Sequence, residues 1–261
     1  NAIDKIAVNN SPNQNMLTGF YRETIRKRRN YINVTEAVVN IYKTPYVDDV
    51  DRDRVQVFKG RQLVSPKAGD TLMVKLQGGP NYSIYLDAVK NRDLLLDKET
   101  LSDYKFKMET PVMLDKRLHY AVTFEPQAVQ PYPLFYGTMY IDEETLTFTQ
   151  IEFSFSMKDR NKVTYAILKK KPFNLRFKPE EITYMVNYKQ ENGISYLNYM
   201  QNTIRFKCDW KRRLFSTNYT IVSEMVVTDK QLDNVSAIPY KLAFNIKNVL
   251  SDKVGNFYDE N

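Results

Sequence analysis

Between Leu134 and Phe155 apolar and polar side chains alternate in two runs, on either side of the polar stretch Asp142-Glu143-Glu144-Thr145. A strand points successive side chains to opposite faces, so two such runs around a polar turn predict a β-hairpin. The apolar phase changes partway through the second run. Leu146 and Phe148 share one side of an ideal strand, whereas Ile151, Phe153 and Phe155 fall on the other. One inserted residue shifts the phase and bends the strand, so the pattern predicts a β-bulge and a curved sheet.

The same periodicity recurs along most of the chain. Met16 to Lys27 and Tyr31 to Tyr42 read as a hairpin around Arg28-Arg29-Asn30, followed by a strand from Arg54 to Val64. Tyr104 to Leu114 and Arg117 to Glu125 continue the series, and Ile182 to Glu191 and Ile194 to Lys207 flank Asn192-Gly193, a strong two-residue hairpin turn. From Ile204 to Trp210 the alternation is clean: Ile204, Phe206, Cys208 and Trp210 share one face, and Arg205, Lys207 and Asp209 the other. Leu214 to Thr228 makes the last long strand. Helical spacing is limited to the first ten residues and to Tyr82, Tyr85, Leu86 and Val89. The segment 157–181, punctuated by Pro172 and Pro179, fits neither period and reads as a crossing loop. The expected architecture is mainly β: a large curved antiparallel sheet of about ten strands, an open half-barrel with one or two inserted helices. It spans residues 1–230, with an irregular tail at 231–261 packed on it.

Composition changes this picture little. The 19 Tyr and 14 Phe favour strands and supply much of the burial. Eight Gly and 11 Pro, without a Gly/Ser-rich or Pro-rich run, argue against a long flexible linker. Cys208 is the single cysteine, which excludes an internal disulfide and any multi-thiolate metal site. No run reaches the ~18 apolar residues of a membrane-spanning helix. The net charge of +7 is modest for 261 residues, so its distribution matters more than its size.

Candidate chemistry is sparse. His119 and Cys208 lack partners that the sequence identifies, and both read as packed core. Asp48, Asp49, Asp51 and Asp53 alternate like calcium ligands, but the required Gly and closing Glu are missing and Arg52 and Arg54 interleave. Glu143-Glu144 and Glu180-Glu181 are adjacent pairs whose carboxylates point apart on a strand or turn. Neither a nucleophile elbow, a zincin helix, a Walker loop nor a dinucleotide fingerprint occurs. No catalytic residue, cofactor or metal is therefore expected, and the chain reads as non-enzymatic. Basic clusters lie at Arg26-Lys27-Arg28-Arg29, Lys169-Lys170-Lys171 and Lys211-Arg212-Arg213. Their ordinary reading is solvated turn charge; the functional alternative is a basic rim facing anionic head groups. The aromatic stripes read first as core, and second as the lining of an apolar cavity on a concave face.

Three stretches carry a resemblance: Leu17-Thr18-Gly19-Phe20-Tyr21-Arg22-Glu23, Gly137-Thr138-Met139-Tyr140-Ile141-Asp142, and Asn256-Phe257-Tyr258-Asp259-Glu260. They resemble the C-terminal region of Bacteroidota envelope proteins, where it follows a carboxypeptidase-regulatory-like domain. Gly137 to Phe148 also looks like the corresponding hairpin of the lipoprotein-carrier (LolA/LolB-like) fold, an open half-barrel with a helical plug. These likenesses imply a periplasmic or outer-membrane-associated location and a concave apolar face, and they carry over no site residues. The leading expectation is a cell-envelope module that binds a lipid or other apolar ligand, lined by Phe148, Phe206, Trp210 and Tyr219. Its basic rim comprises Arg26, Lys27, Arg28 and Arg29 with Lys211, Arg212 and Arg213. The rival expectation is a docking domain for an upstream domain or an envelope partner protein. Peripheral membrane contact fits both readings; nucleic acid ranks lowest, because no module of basic and aromatic residues matches.

Overall fold

A computed structural model of the chain describes residues 1–211, 215–244, 250 and 254–256. In chain order the elements are α1 (Ile6–Asn9), β1 (Asn15–Lys27), β2 (Asn30–Lys43), β3 (Arg54–Val64), β4 (Lys75–Leu76), α2 (Pro80–Tyr85), α3 (Arg92–Leu95) and α4 (Lys98–Leu101). They continue with β5 (Tyr104–Met108), β6 (Val112–Leu114), β7 (Arg117–Pro126), β8 (Phe135–Asp142), β9 (Phe148–Phe155), α5 (Arg160–Ile167), β10 (Leu168–Lys170), β11 (Leu175–Glu191), β12 (Ile194–Trp210), β13 (Thr217–Gln231) and β14 (Gly255–Asn256). One large sheet runs in the order β14-β3-β2-β1-β13-β12-β11-β9-β8-β7-β5, with β6 also on β7. It does not close on itself. Apart from β14, which lies parallel to β3, its neighbours are antiparallel.

This is the open antiparallel half-barrel that the alternation predicts. Most neighbours are also neighbours in sequence, joined by short turns. The exceptions are β14 with β3, β9 with β11, β5 with β7, and the pair β1 and β13, where Tyr21 stands opposite Met225. The bulge in the hairpin β8–β9 lies where the apolar phase changes: Tyr140 faces Gln150 and Ile141 faces Phe148, which leaves Thr149 as the extra residue. Leu146 is outside the strand, in a left-handed conformation (φ 57°) at the end of the turn. The turn is held by Asp142, whose Oδ1 accepts from the Thr145 N–H at 2.8 Å and from its hydroxyl at 2.9 Å.

Three segments differ from expectation. The stretch 104–114 is two strands, because Glu109-Thr110-Pro111 interrupts the ladder between β5 and β6. The single helix expected at 82–89 is one and a half turns of α2, after which turns and the short α3 and α4 follow. The segment 157–181 is ordered: Asp159 caps α5 through bonds from the Asn161 and Lys162 N–H groups, and β11 begins at Leu175, ahead of Pro179. Proline cannot donate to a ladder, and the register shifts between Pro179 and Glu181 to pass it.

The inner face of the sheet is ordered in rows. Ala37, Tyr21, Met225, Met200, Val186 and Ile151 stand opposite one another across six strands, and all are buried. Over this row lies the plug, the stretch from α2 to α4, which inserts Ile84, Leu86, Ala88, Val89, Leu95 and Leu96 into the core. Gly79, with φ 86°, turns the chain into α2, and Pro80 occupies its first turn. Most of the concave side is therefore filled. No helix among the described residues is long and apolar enough to cross a membrane.

Candidate functional site

What anchors the plug is ionic. Lys43 at the end of β2 places Nζ 2.7 Å from Asp87 Oδ2 and 3.0 Å from Asp53 Oδ2. Lys90 places Nζ 2.7 Å from Asp53 Oδ1 and donates to the Thr44 carbonyl at 2.6 Å and its hydroxyl at 2.7 Å. The Tyr188 and Tyr46 hydroxyls donate to the Asp87 carboxylate at 2.7 and 3.0 Å. All four charged side chains are buried. Burial opposes the charge on Lys43, but Asp53 and Asp87 outweigh it and hold the ammonium charged. Burial and the Lys43 charge instead depress Lys90. Asp87 sits below its ordinary range because Lys43 and the hydroxyl donors overcome its own desolvation. Two cations matched by two anions, with the Tyr188 and Tyr46 hydroxyls on Asp87 and the Thr44 hydroxyl on Asp53 Oδ1, make an ionic staple between the plug and the sheet.

Beside the plug a cavity of about 330 Å³ remains on the inner face of β2, β1, β13 and β12. Its apolar wall includes Ile25, Ile32, Ile204 and Ile221 from the sheet, with Leu72 and Val74 from the stretch leading into β4. Next to that wall the register brings four polar side chains into a line: Thr35 faces Glu23, Glu23 faces Ser223, and Ser223 faces Asn202. The line then continues into Tyr184 and Phe153. An apolar row thus flanks the polar one on each side.

Glu23 is the centre of this line. Its Oε2 accepts from the Tyr21 hydroxyl at 3.1 Å and from Ser223 at 3.3 Å, and among the described residues no cation pairs with it. Desolvation raises its pKa above the carboxylate value, and the two hydroxyl bonds only partly counter that. Burial, with the carboxylate beside it, also pushes the Tyr21 phenol well above its usual range. Asn202 Oδ1 and Gln77 Oε1 line the same cavity, are buried, and have no hydrogen-bond partner among the described residues. Such acceptors are uncommon in a finished core and mark room for a donor. The cover is the small sheet of β4 on β10, which carries Lys75 and Lys169 to the rim. Burial and the Lys75 charge lower Lys169 from its ordinary value.

The aromatic residues expected to line a ligand site fall in two places. Phe206 and Tyr219 stack at 5.4 Å with planes 12° apart, two residues along their strands from Ile204 and Ile221. Trp210 lies further along β12, opposite Leu175. Phe148 is buried towards the other end of the sheet, opposite Ile141 on β8. In the basic rim, the Arg26 guanidinium lies 5.7 Å from the Tyr31 ring, and Lys27 donates to the Gly69 carbonyl at 2.6 Å. The Lys211 ammonium sits 4.6 Å from the Phe173 ring, and Arg212 and Arg213 lie outside the described residues.

Other candidates are engaged elsewhere. His119 is buried, with Nδ1 2.9 Å from the Arg117 carbonyl oxygen. Burial pushes the Cys208 thiol up to about 11, so it stays protonated at neutral pH. Asp48 pairs with Arg52 at 3.5 Å, Asp49 caps the turn at Asp51, and Asp53 belongs to the staple. Glu180 and Glu181 pair separately with Lys207 and Arg205. No group of three or more metal-ligating side chains forms among the described residues.

The chain has likenesses among solved structures. It is similar to a putative outer membrane lipoprotein-sorting protein domain from Vibrio parahaemolyticus (10% identity, 92% of this chain and 93% of that one, TM-score 0.37). It is also similar to a DUF1329 family protein from Desulfovibrio piger (9%, 90% and 92%, TM-score 0.35) and a LolA superfamily protein from Nitrosomonas europaea (11%, 94% and 96%, TM-score 0.30). No family model and no curated protein matches the sequence. Likenesses this distant leave the chemistry of the inner face to its own residues.

Sequence reasoning missed the polar row and the staple. The row left a trace: Glu23 stands between Tyr21 and Ile25, Asn202 between Met200 and Ile204, and Ser223 between Ile221 and Met225, each at an inward position of an apolar alternation. Their meeting depends on β1 pairing with β13, which no local signal specifies.

Proposed function

We propose that this chain is a non-enzymatic envelope module, periplasmic or associated with the outer membrane, that holds an apolar ligand with a polar head group in the inner-face cavity. The observation that carries this reading is the pairing of an isoleucine wall with a polar row in one cavity of about 330 Å³, which lies within the range of small-ligand sites. The isoleucines would take the hydrocarbon part, and Glu23, Ser223 and Asn202 the head. Phe206 and Tyr219 follow two residues beyond that wall on the same strands, Trp210 lies further along β12, and Phe148 is buried in the core.

Displacement of a fluorescent long-chain probe tests it, with Ile204→Trp and Ile221→Trp as cavity-filling variants. Wild type is expected to bind the probe, and each variant to weaken binding by about tenfold or more while keeping a cooperative melt. Absence of probe binding by the wild type, or full binding by both variants, would refute the cavity.

A further inference from the structure

One end of the sheet gathers four segments that are distant in the chain. They are the β1–β2 turn (26–31), the stretch 65–75 that leads into β4, the run 168–178 from β10 into β11, and the passage 207–218 from the end of β12 into β13. Short contacts bind them together. The Arg28 N–H donates to the Asn218 carbonyl at 2.8 Å, Lys27 donates to Gly69, β4 pairs with β10, and the Lys211 N–H donates to the Asn174 carbonyl at 3.0 Å.

The described residues of these segments carry 13 Lys and Arg against two Asp. Since the whole chain is only +7, the rest of the molecule is net acidic. Asp70 is held by Lys27 and Ser65, and Asp209 by Arg176 and Lys178, so both acids are already matched. The same end exposes large apolar side chains that a soluble surface ordinarily avoids. Phe173 is 84% and Phe215 81% exposed, and Tyr31 and Met73, in the other two segments, are exposed as well. The Lys211 ammonium over the Phe173 ring sets a cation against one of these aromatics.

Basic side chains draw a surface towards anionic lipid, and exposed rings gain by entering the head-group layer. Nucleic acid fits less well, because its bases need aromatic platforms along a groove, whereas Phe173 and Phe215 stand singly in the loops that precede β11 and β13. We propose that this end of the half-barrel docks on an anionic bilayer. Phe173 and Phe215 enter the interface, the cations at 26–29, 169–171 and 211 lie against lipid phosphates, and, in the part that rests on the cavity reading above, the cavity rim faces the membrane.

Co-sedimentation of the full chain with phosphatidylcholine vesicles, with and without roughly 30% phosphatidylglycerol, tests this. Binding is expected only with the anionic lipid, and to fall about tenfold between roughly 50 and 500 mM salt. The double variant Phe173→Ser and Phe215→Ser should lose about tenfold in vesicle binding with an unchanged melt, while Phe58→Ser, exposed on β3, should bind as wild type does. Equal binding to neutral vesicles, no binding to either, an unaffected double variant, or tighter binding to an RNA oligonucleotide than to vesicles would each overturn the proposal. Probe binding in vesicle-free solution reports on the cavity separately, so the two readings fail independently.

Discussion

Glu23 is a carboxylate that the fold keeps at some expense to stability. Its raised pKa means that the folded chain holds this proton more tightly than the unfolded chain. Stability therefore falls as pH rises from the ordinary value of 4.5 through the folded value, and the penalty is complete above that. Glu23→Gln should melt above wild type near neutral pH, and the difference should vanish as pH falls below 4.5. Thermal melts between about pH 8 and about pH 4 measure this; a pH-independent difference would mean that the carboxylate is not desolvated. The residue-scale reading of the sequence went as far as phase. Alternation assigns Glu23, Asn202 and Ser223 to the inward face, but not to one another.

At the scale of elements, the hairpin β8–β9 was the most legible part of the chain, and its bulge at Thr149 follows from the phase change in the apolar pattern. Gly137 is the reason these strands can lie so close. A Cβ there would collide with the Glu152 backbone and stand 2.8 Å from the Phe153 Cα. Backbone cannot swing aside as a side chain does, so Gly137→Ala should destabilise the protein by about 1–3 kcal/mol, read from denaturant unfolding. A loss below about 0.5 kcal/mol would show that the strands can separate there without penalty. Other elements were less legible for identifiable reasons. Pro179 and Pro172 looked like breakers, yet β11 accommodates Pro179 by a register shift and resumes. The plug lacks a long helical period because Lys43, Asp53, Asp87 and Lys90 fix it, in place of a continuous amphipathic face. Charged residues spread over 48 positions, from Lys43 to Lys90, give no local signal of a shared burial.

For the molecule as a whole, alternation and turn chemistry made an open antiparallel sheet legible, while its edges and its middle were not. Among the described residues β5 pairs on one side only, with β7, and Lys105 and Lys107 alternate with Phe106 and Met108 along it. Lysines on an edge discourage pairing with a second chain. Lys105→Val with Lys107→Val should raise self-association, seen by sedimentation velocity as dimers or larger species at concentrations where wild type is monodisperse; an unchanged profile would assign the protection elsewhere. The middle of the sheet has a different consequence. β1 and β13 are neighbours although some two hundred residues separate them, so a ribosome must add all of those residues after β1 before it can find its second partner. Until then the amino-terminal meander β1–β3 and the later meander that ends in β13 are separate sheets, each with a bare edge, and contacts this remote in sequence form slowly. The polar row crosses that seam, because Glu23 belongs to one meander and Ser223 to the other. A ligand that touched both would recognise only the joined form and would shift the population towards it by mass action, so that cargo and completion of the fold become a single equilibrium.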